Sequence, residues 1–129
     1  MNYRLNHLAL CVKCPEKSAE FYQQLFGLLG LYVERRAVGE NIMILSHSGT
    51  SLGLKKSERS GSRDGVDHFG FTTDSLEDLE SLSERLCVKG IPFERKEHRD
   101  GSRSLFMSDP DGYLVQIVCM PVDMFIKDK

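Results

Sequence analysis

Two apolar stretches, "LNHLAL" at 5–10 and "VDHFGF" at 66–71, carry a histidine at the same place, His7 and His68. An imidazole can move a proton near neutral pH or lend a lone pair to a cation. A strand packed on a core has little use for either property. Two such rings in register therefore point to a shared task. Gln116 in "YLVQIV" and Arg103 in "GSRSLF" add polar groups within strand-like sequence, and His98 closes "PFERKEH". Cys11 and Cys14 form C-x-x-C as "CVKC", but no second pair follows and Cys11 lies in strand-like sequence. With Cys87 and Cys119 they read as structural thiols rather than a redox or zinc motif.

The elements that must position these residues occur twice. An apolar strand over 5–12 precedes a helix over about 15–25, in which Ala19, Phe21, Tyr22, Leu25 and Phe26 share one broad face. Pro15 suits a first helical turn, and Gly27 and Gly30 suit the exit. Extended runs near 31–36, 41–46 and 50–55 follow, with Gly39 and Gly49 as turns. The second half repeats the order. "VDHFGFTT" is a strand, Asp74 or Ser75 caps a helix over about 76–88, and Leu76, Leu79, Leu82 and Leu86 recur at helical spacing. Gly90 ends that helix, and "PFERKEH", "RSLFMS" and "YLVQIV" supply three strands, the last two joined by "DPDG". Each half is βαβββ: residues 1–56 and 66–120, with a polar linker over 57–65 and a tail over 121–129.

Strand alternation sorts the side chains. Leu8, Leu10, Val12, Leu52, Leu54, Phe69, Phe71, Val115 and Ile117 point to the faces that the helices cover. His7, Ala9, Gly53, His68, Gly70, Thr72 and Gln116 fall on the opposite face. The predicted fold class is α+β, with two βαβββ modules forming a curved, cup-shaped, mainly antiparallel eight-stranded sheet and helices on its convex face. The two histidines then look into a cup suited to a small ligand.

Bulk properties narrow the partners. With 17 basic and 19 acidic residues the net charge is −2, so a nucleic-acid partner is not expected. No apolar run is long enough to cross a bilayer and the opening lacks a signal-peptide pattern, which predicts a cytoplasmic protein with no membrane partner.

The duplicated order, the histidine in each first strand and "SDPDGYLVQI" together resemble the vicinal oxygen chelate superfamily, the family of glyoxalases, bleomycin-resistance proteins and extradiol dioxygenases. The resemblance spans essentially the whole chain. It implies a divalent metal ion (iron, manganese, zinc or nickel) held by His7, His68 and Gln116, the last standing where most relatives carry glutamate. A fourth ligand of glyoxalase-like relatives falls on Gly53, which has no side chain. With both carboxylates absent, glyoxalase I itself is disfavoured, because its chemistry needs a general base. The dioxygenase pattern puts Phe106 where tyrosine would assist and makes His98 a candidate acid or base. Arg103, Phe106 and Tyr113 are the substrate-binding candidates, Arg103 through a planar fork of donors. The resemblance also implies a homodimer. The implied function is a metal-dependent lyase or dioxygenase acting on a small oxygenated molecule. The alternative is a metal-free, non-catalytic protein that sequesters a small molecule.

Overall fold

The computed structural model describes residues 3–59, 61 and 65–120. It contains β1 (His7–Val12), α1 (Pro15–Leu28), β2 (Val33–Val38), β3 (Asn41–Ser46) and β4 (Ser51–Lys56), then β5 (Phe69–Thr73), α2 (Leu76–Lys89), β6 (Glu94–Glu97), β7 (Arg103–Ser108) and β8 (Leu114–Cys119). The βαβββ order thus occurs twice. The eight strands pair as two four-stranded sheets, ordered β1-β4-β3-β2 and β5-β8-β7-β6. In each sheet one pairing is parallel, β1 with β4 and β5 with β8, and the others are antiparallel. The chain divides into two compact units, residues 1–62 with the turn 109–112, and residues 63–108 with 113–129. The tail over 121–129, and residues 60 and 62–64 of the linker, lie outside the described residues.

In the first unit the ladder sets Leu8 opposite Leu52 and Leu10 opposite Leu54, with Ile44 and Ile42 on the other side of the same two leucines. Leu10, Val12, Ile42, Ile44, Leu52 and Leu54 are buried, and α1 covers them with Ala19, Tyr22, Leu25 and Phe26. Each such side chain taken from water contributes about 1.5–3 kcal/mol, which holds the strand parity in place. The helix runs past the expected stop, and Gly27 lies within it. Its end is set one turn later, where Gly30 takes φ 78° and Leu31 N–H donates to Phe26 O at 2.9 Å. β2, the outer strand, carries Glu34, Arg35 and Arg36, charges that discourage further strand pairing.

The "DPDG" turn does more than reverse the chain. Tyr22 Oη donates to Asp109 Oδ2 at 2.6 Å, with both residues buried. Asp111 accepts from Ser18 Oγ at 3.2 Å and from Lys13 N–H at 2.8 Å. Both aspartates therefore fasten the turn to α1 and its N-terminal approach. Asp109 Oδ1 also accepts from Asp111 N–H at 2.9 Å, which sets the turn's own shape.

In the second unit Phe69 stands opposite Val115 and Phe71 opposite Ile117, the counterparts of Leu8–Leu52 and Leu10–Leu54. Leu105 and Met107 join Val115 and Ile117 in the core, beneath Leu79, Leu82 and Leu86 of α2. Ser75 caps this helix by accepting from Asp78 N–H at 3.2 Å, and Gly90 ends it at φ 71°. Leu76 does not join the buried stripe; it sits in the first turn and is 46% exposed. β1 begins at His7 and β5 at Phe69, so the expected strands are trimmed at their starts, and Leu5 is 93% exposed. Glycine is required at Gly70. A Cβ there would lie 2.6 Å from the backbone oxygen of Gln116, whereas one at Gly53 would meet only ordinary contacts of 3.4–3.7 Å.

Two outcomes follow for stability. Tyr22→Phe should lower the urea midpoint by the equivalent of about 1.5–3 kcal/mol, because a buried carboxylate loses a donor. Gly70→Ala should cost about 1–3 kcal/mol by forcing β5 away from β8, and Gly53→Ala distinctly less in the same titration.

Candidate functional site

In the second unit the face of the sheet away from α2 gathers most of the chemistry. Phe106 pairs with Gln116, and Gln116 pairs with Gly70, so all three share that face. Gln116 Nε2 donates to Ser104 Oγ at 2.7 Å, and Ser104 Oγ lies 2.9 Å from His98 Nε2. His68 stands immediately before β5 with its ring edge-on to Phe106, centroids 5.6 Å apart. His98 approaches Phe106 similarly at 6.2 Å. Phe106 thus sits between two imidazoles, and Ser104 joins one of them to the Gln116 amide.

Hydrogen bonds aim the donor atoms. His68 Nδ1 lies 2.7 Å from Asp67 Oδ2. A carboxylate oxygen only accepts, so Nδ1 carries a hydrogen there, and in the neutral ring Nε2 is left with a lone pair. In the first unit His7 opens β1 and has its Nδ1 2.7 Å from Asn6 Oδ1, which leaves Nε2 in the same role. His7 is exposed, on the face opposite Leu8, Leu10 and α1.

Gly53, where the resemblance would put a fourth ligand, is surrounded by apolar atoms. Ala9 and Met43 both pair with Gly53, and a Cβ on that glycine would lie 3.6 Å from Ala9 Cβ and 3.4 Å from Met43 Sδ. Among the described residues no three His, Cys, Asp or Glu side chains gather as a metal site.

The remaining candidates lie elsewhere. Arg103 is exposed and alternates with Ser104, which puts it in line with Leu105 and Met107 rather than with Phe106. Arg103 thus lies off the face that carries Phe106. Tyr113 is buried, 7% exposed, one residue ahead of β8. In the turn before β7 the Asp100 carboxyl is held below the ordinary range, chiefly by the Ser102 hydroxyl at 2.6 Å and then by Ser102 N–H at 2.9 Å. No disulfide joins the four cysteines, all of them among the described residues. A cleft at the ends of β1 and β4, lined by Lys13, Glu40, Lys56, Ser57 and Glu58, lies on neither histidine.

Ser104, Met43, Asn6 and Asp67 were not singled out in the sequence. For the last two a signal existed, since "NH" and "DH" both set an oxygen acceptor directly before the histidine. Ser104 and Met43 become visible only through the β7–β8 and β3–β4 registers. No helix among the described residues is long and apolar enough to cross a membrane.

Comparison with known proteins identifies the family and the fold. The chain is 28% identical to a lactoylglutathione lyase of Pseudomonas aeruginosa over 147 residues, covering 90% of this chain and 82% of that one. It is 29% identical to the glutathione transferase FosA of Serratia marcescens, covering 88% and 78%. The crystal structure of the fosfomycin resistance protein FosX from Listeria monocytogenes superposes with a TM-score of 0.73 at 20% identity, covering 95% and 98%, and so shares the fold. Residues 4–117 match the sequence profile of one family. The chain belongs to the Glyoxalase/Bleomycin resistance protein/Dioxygenase superfamily.

Proposed function

We propose that this protein is an enzyme that acts on a small oxygenated molecule through a divalent cation held by His7, His68 and Gln116. The observation that carries this reading is the orientation of the three donors. Each histidine has Nδ1 engaged by a neighbouring oxygen and Nε2 available, and Gln116 has its amide nitrogen engaged and Oε1 available. The cation would act as a Lewis acid on the substrate oxygens. Phe106, between His68 and His98, supplies an apolar wall against which a small substrate can lie. His98 is the candidate acid or base, with its Nε2 already on Ser104.

The names of the relatives cover a lyase, a glutathione transferase and a fosfomycin resistance protein, which are different reactions on one fold. The reaction class is therefore argued from the site. With Gly53 and Gln116 in the two places where a carboxylate base would stand, polarisation of a substrate oxygen fits better than abstraction of a carbon-bound proton. The lack of any carboxylate among the three donors favours a second reading, a metal-free protein that sequesters a small molecule. The chain is further proposed to work as a cytoplasmic homodimer, the pairing being what the resemblance to its family implies.

Gln116→Glu separates the two readings. A carboxylate adds a full negative charge beside the ion, so calorimetry with Mn²⁺ or Zn²⁺ should show binding tightened by about tenfold or more. Unchanged binding in the variant would remove Gln116 from the ligand set and leave the sequestering protein as the better reading.

A further inference from the structure

The hydrogen-bond chain from Gln116 through Ser104 to His98 has a direction. An amide NH₂ is only a donor, so Ser104 Oγ accepts from Gln116 Nε2 at 2.7 Å. Ser104 is 2% exposed, which keeps its hydroxyl hydrogen from water. That hydrogen has a partner in His98 Nε2, 2.9 Å away. With that hydrogen pointed at it, the imidazole accepts at Nε2 and carries its own hydrogen on Nδ1. The reverse polarity is also self-consistent. There His98 Nε2–H donates to Ser104, whose hydroxyl donates to the amide oxygen, and Gln116 turns its nitrogen outward. The two differ in what residue 116 presents to the open face: a lone pair in the first, two N–H donors in the second.

We propose that Ser104 is a positioning residue which, backed by His98, locks the Gln116 amide with Oε1 turned to the open face and so fixes His98 as the Nδ1–H tautomer. Its use in the protein rests on the cation reading above, but the lock is a property of the metal-free chain. It matters here because a neutral amide has no net charge to draw an ion in. An amide free to rotate would also spend part of its time offering N–H groups that repel a cation. Placing a carboxylate at this position reverses the chain, with Ser104 donating to it and accepting from His98 Nε2–H. The tautomer of His98 therefore reports the orientation of the side chain at 116.

Imidazole ¹⁵N spectra of the metal-free full chain at about pH 9, above the ordinary range for histidine, test this directly. The expected result is Nδ1–H at His98 in the parent protein and Nε2–H in Gln116→Glu. Neither measurement depends on a Ser104 variant folding. Ser104→Ala should release the Gln116 side-chain NH₂ into faster exchange and weaken Mn²⁺ uptake by about tenfold or more, and Ser104→Thr should restore both. Nε2–H at His98 in the parent, or Gln116 amide signals unmoved by Ser104→Ala, would overturn the proposal. Failure of the cation reading looks different: the parent takes up no Mn²⁺ while the metal-free spectra still show the lock.

Discussion

The alternation of side chains along β1, β4, β5 and β8 is the constraint on which the rest of the structure depends. Leu8, Leu10, Leu52 and Leu54 in the first sheet, and Val115 and Ile117 in the second, lie on the helix side of their ladders. A slip of one residue would expose these apolar side chains and drive a histidine or a glutamine toward a helix. The burial that stabilises each module thus also delivers His7 in one unit, and His68, Phe106 and Gln116 in the other, to the face that the helices leave open. The proposed site would thus be positioned by the core rather than added to it.

Close neighbours refine that coarse placement. Asn6 and Asp67 fix the histidine rings, Ser104 holds the amide of Gln116, and Gly70 permits β5 to approach β8 where Gln116 sits. Such supporting groups set ligand orientation and basicity as strongly as the ligands set the metal. In the proposed metal site they would bear more weight, because Gln116 would offer a dipole where a carboxylate would offer a charge. Loss of charge can be offset in part by loss of freedom.

Much of the fold was legible in the sequence, because periodicity reports burial and burial decides parity. The repeated element order, β3 over Asn41–Ser46 and β7 over Arg103–Ser108 follow directly from apolar spacing and turn residues. The ends were less legible. Gly27 and Gly30 both looked like helix exits, but Gly27 lies within α1 and only Gly30, with Leu31, closes it. Leu5 looked like strand because it is apolar, yet it lies before the first ladder pair, His7 with Ser51. Within each sheet, the faces of His7 and Gln116 were readable from alternation, whereas His68 stands just before β5 and is placed by its ring contact with Phe106. Partners across strands were not readable: Ser104 lies 12 residues from Gln116 and meets it only because β7 and β8 pair in one particular register. The aspartates of "DPDG" were read as turn formers, whereas their carboxylates also bind α1 through Tyr22 and Ser18, contacts of long sequence separation that no local pattern encodes.

The central claim is that two histidines, one from each module, serve a single divalent ion together with an amide oxygen. Equilibrium dialysis of untagged protein against Mn²⁺, Fe²⁺, Ni²⁺ or Zn²⁺, followed by elemental analysis, tests it most directly when His7→Ala and His68→Ala are measured alongside. One ion per chain in the parent, lost in both single variants that remain folded, is the predicted result. An ion retained by either variant, or none taken up by the parent, would contradict it.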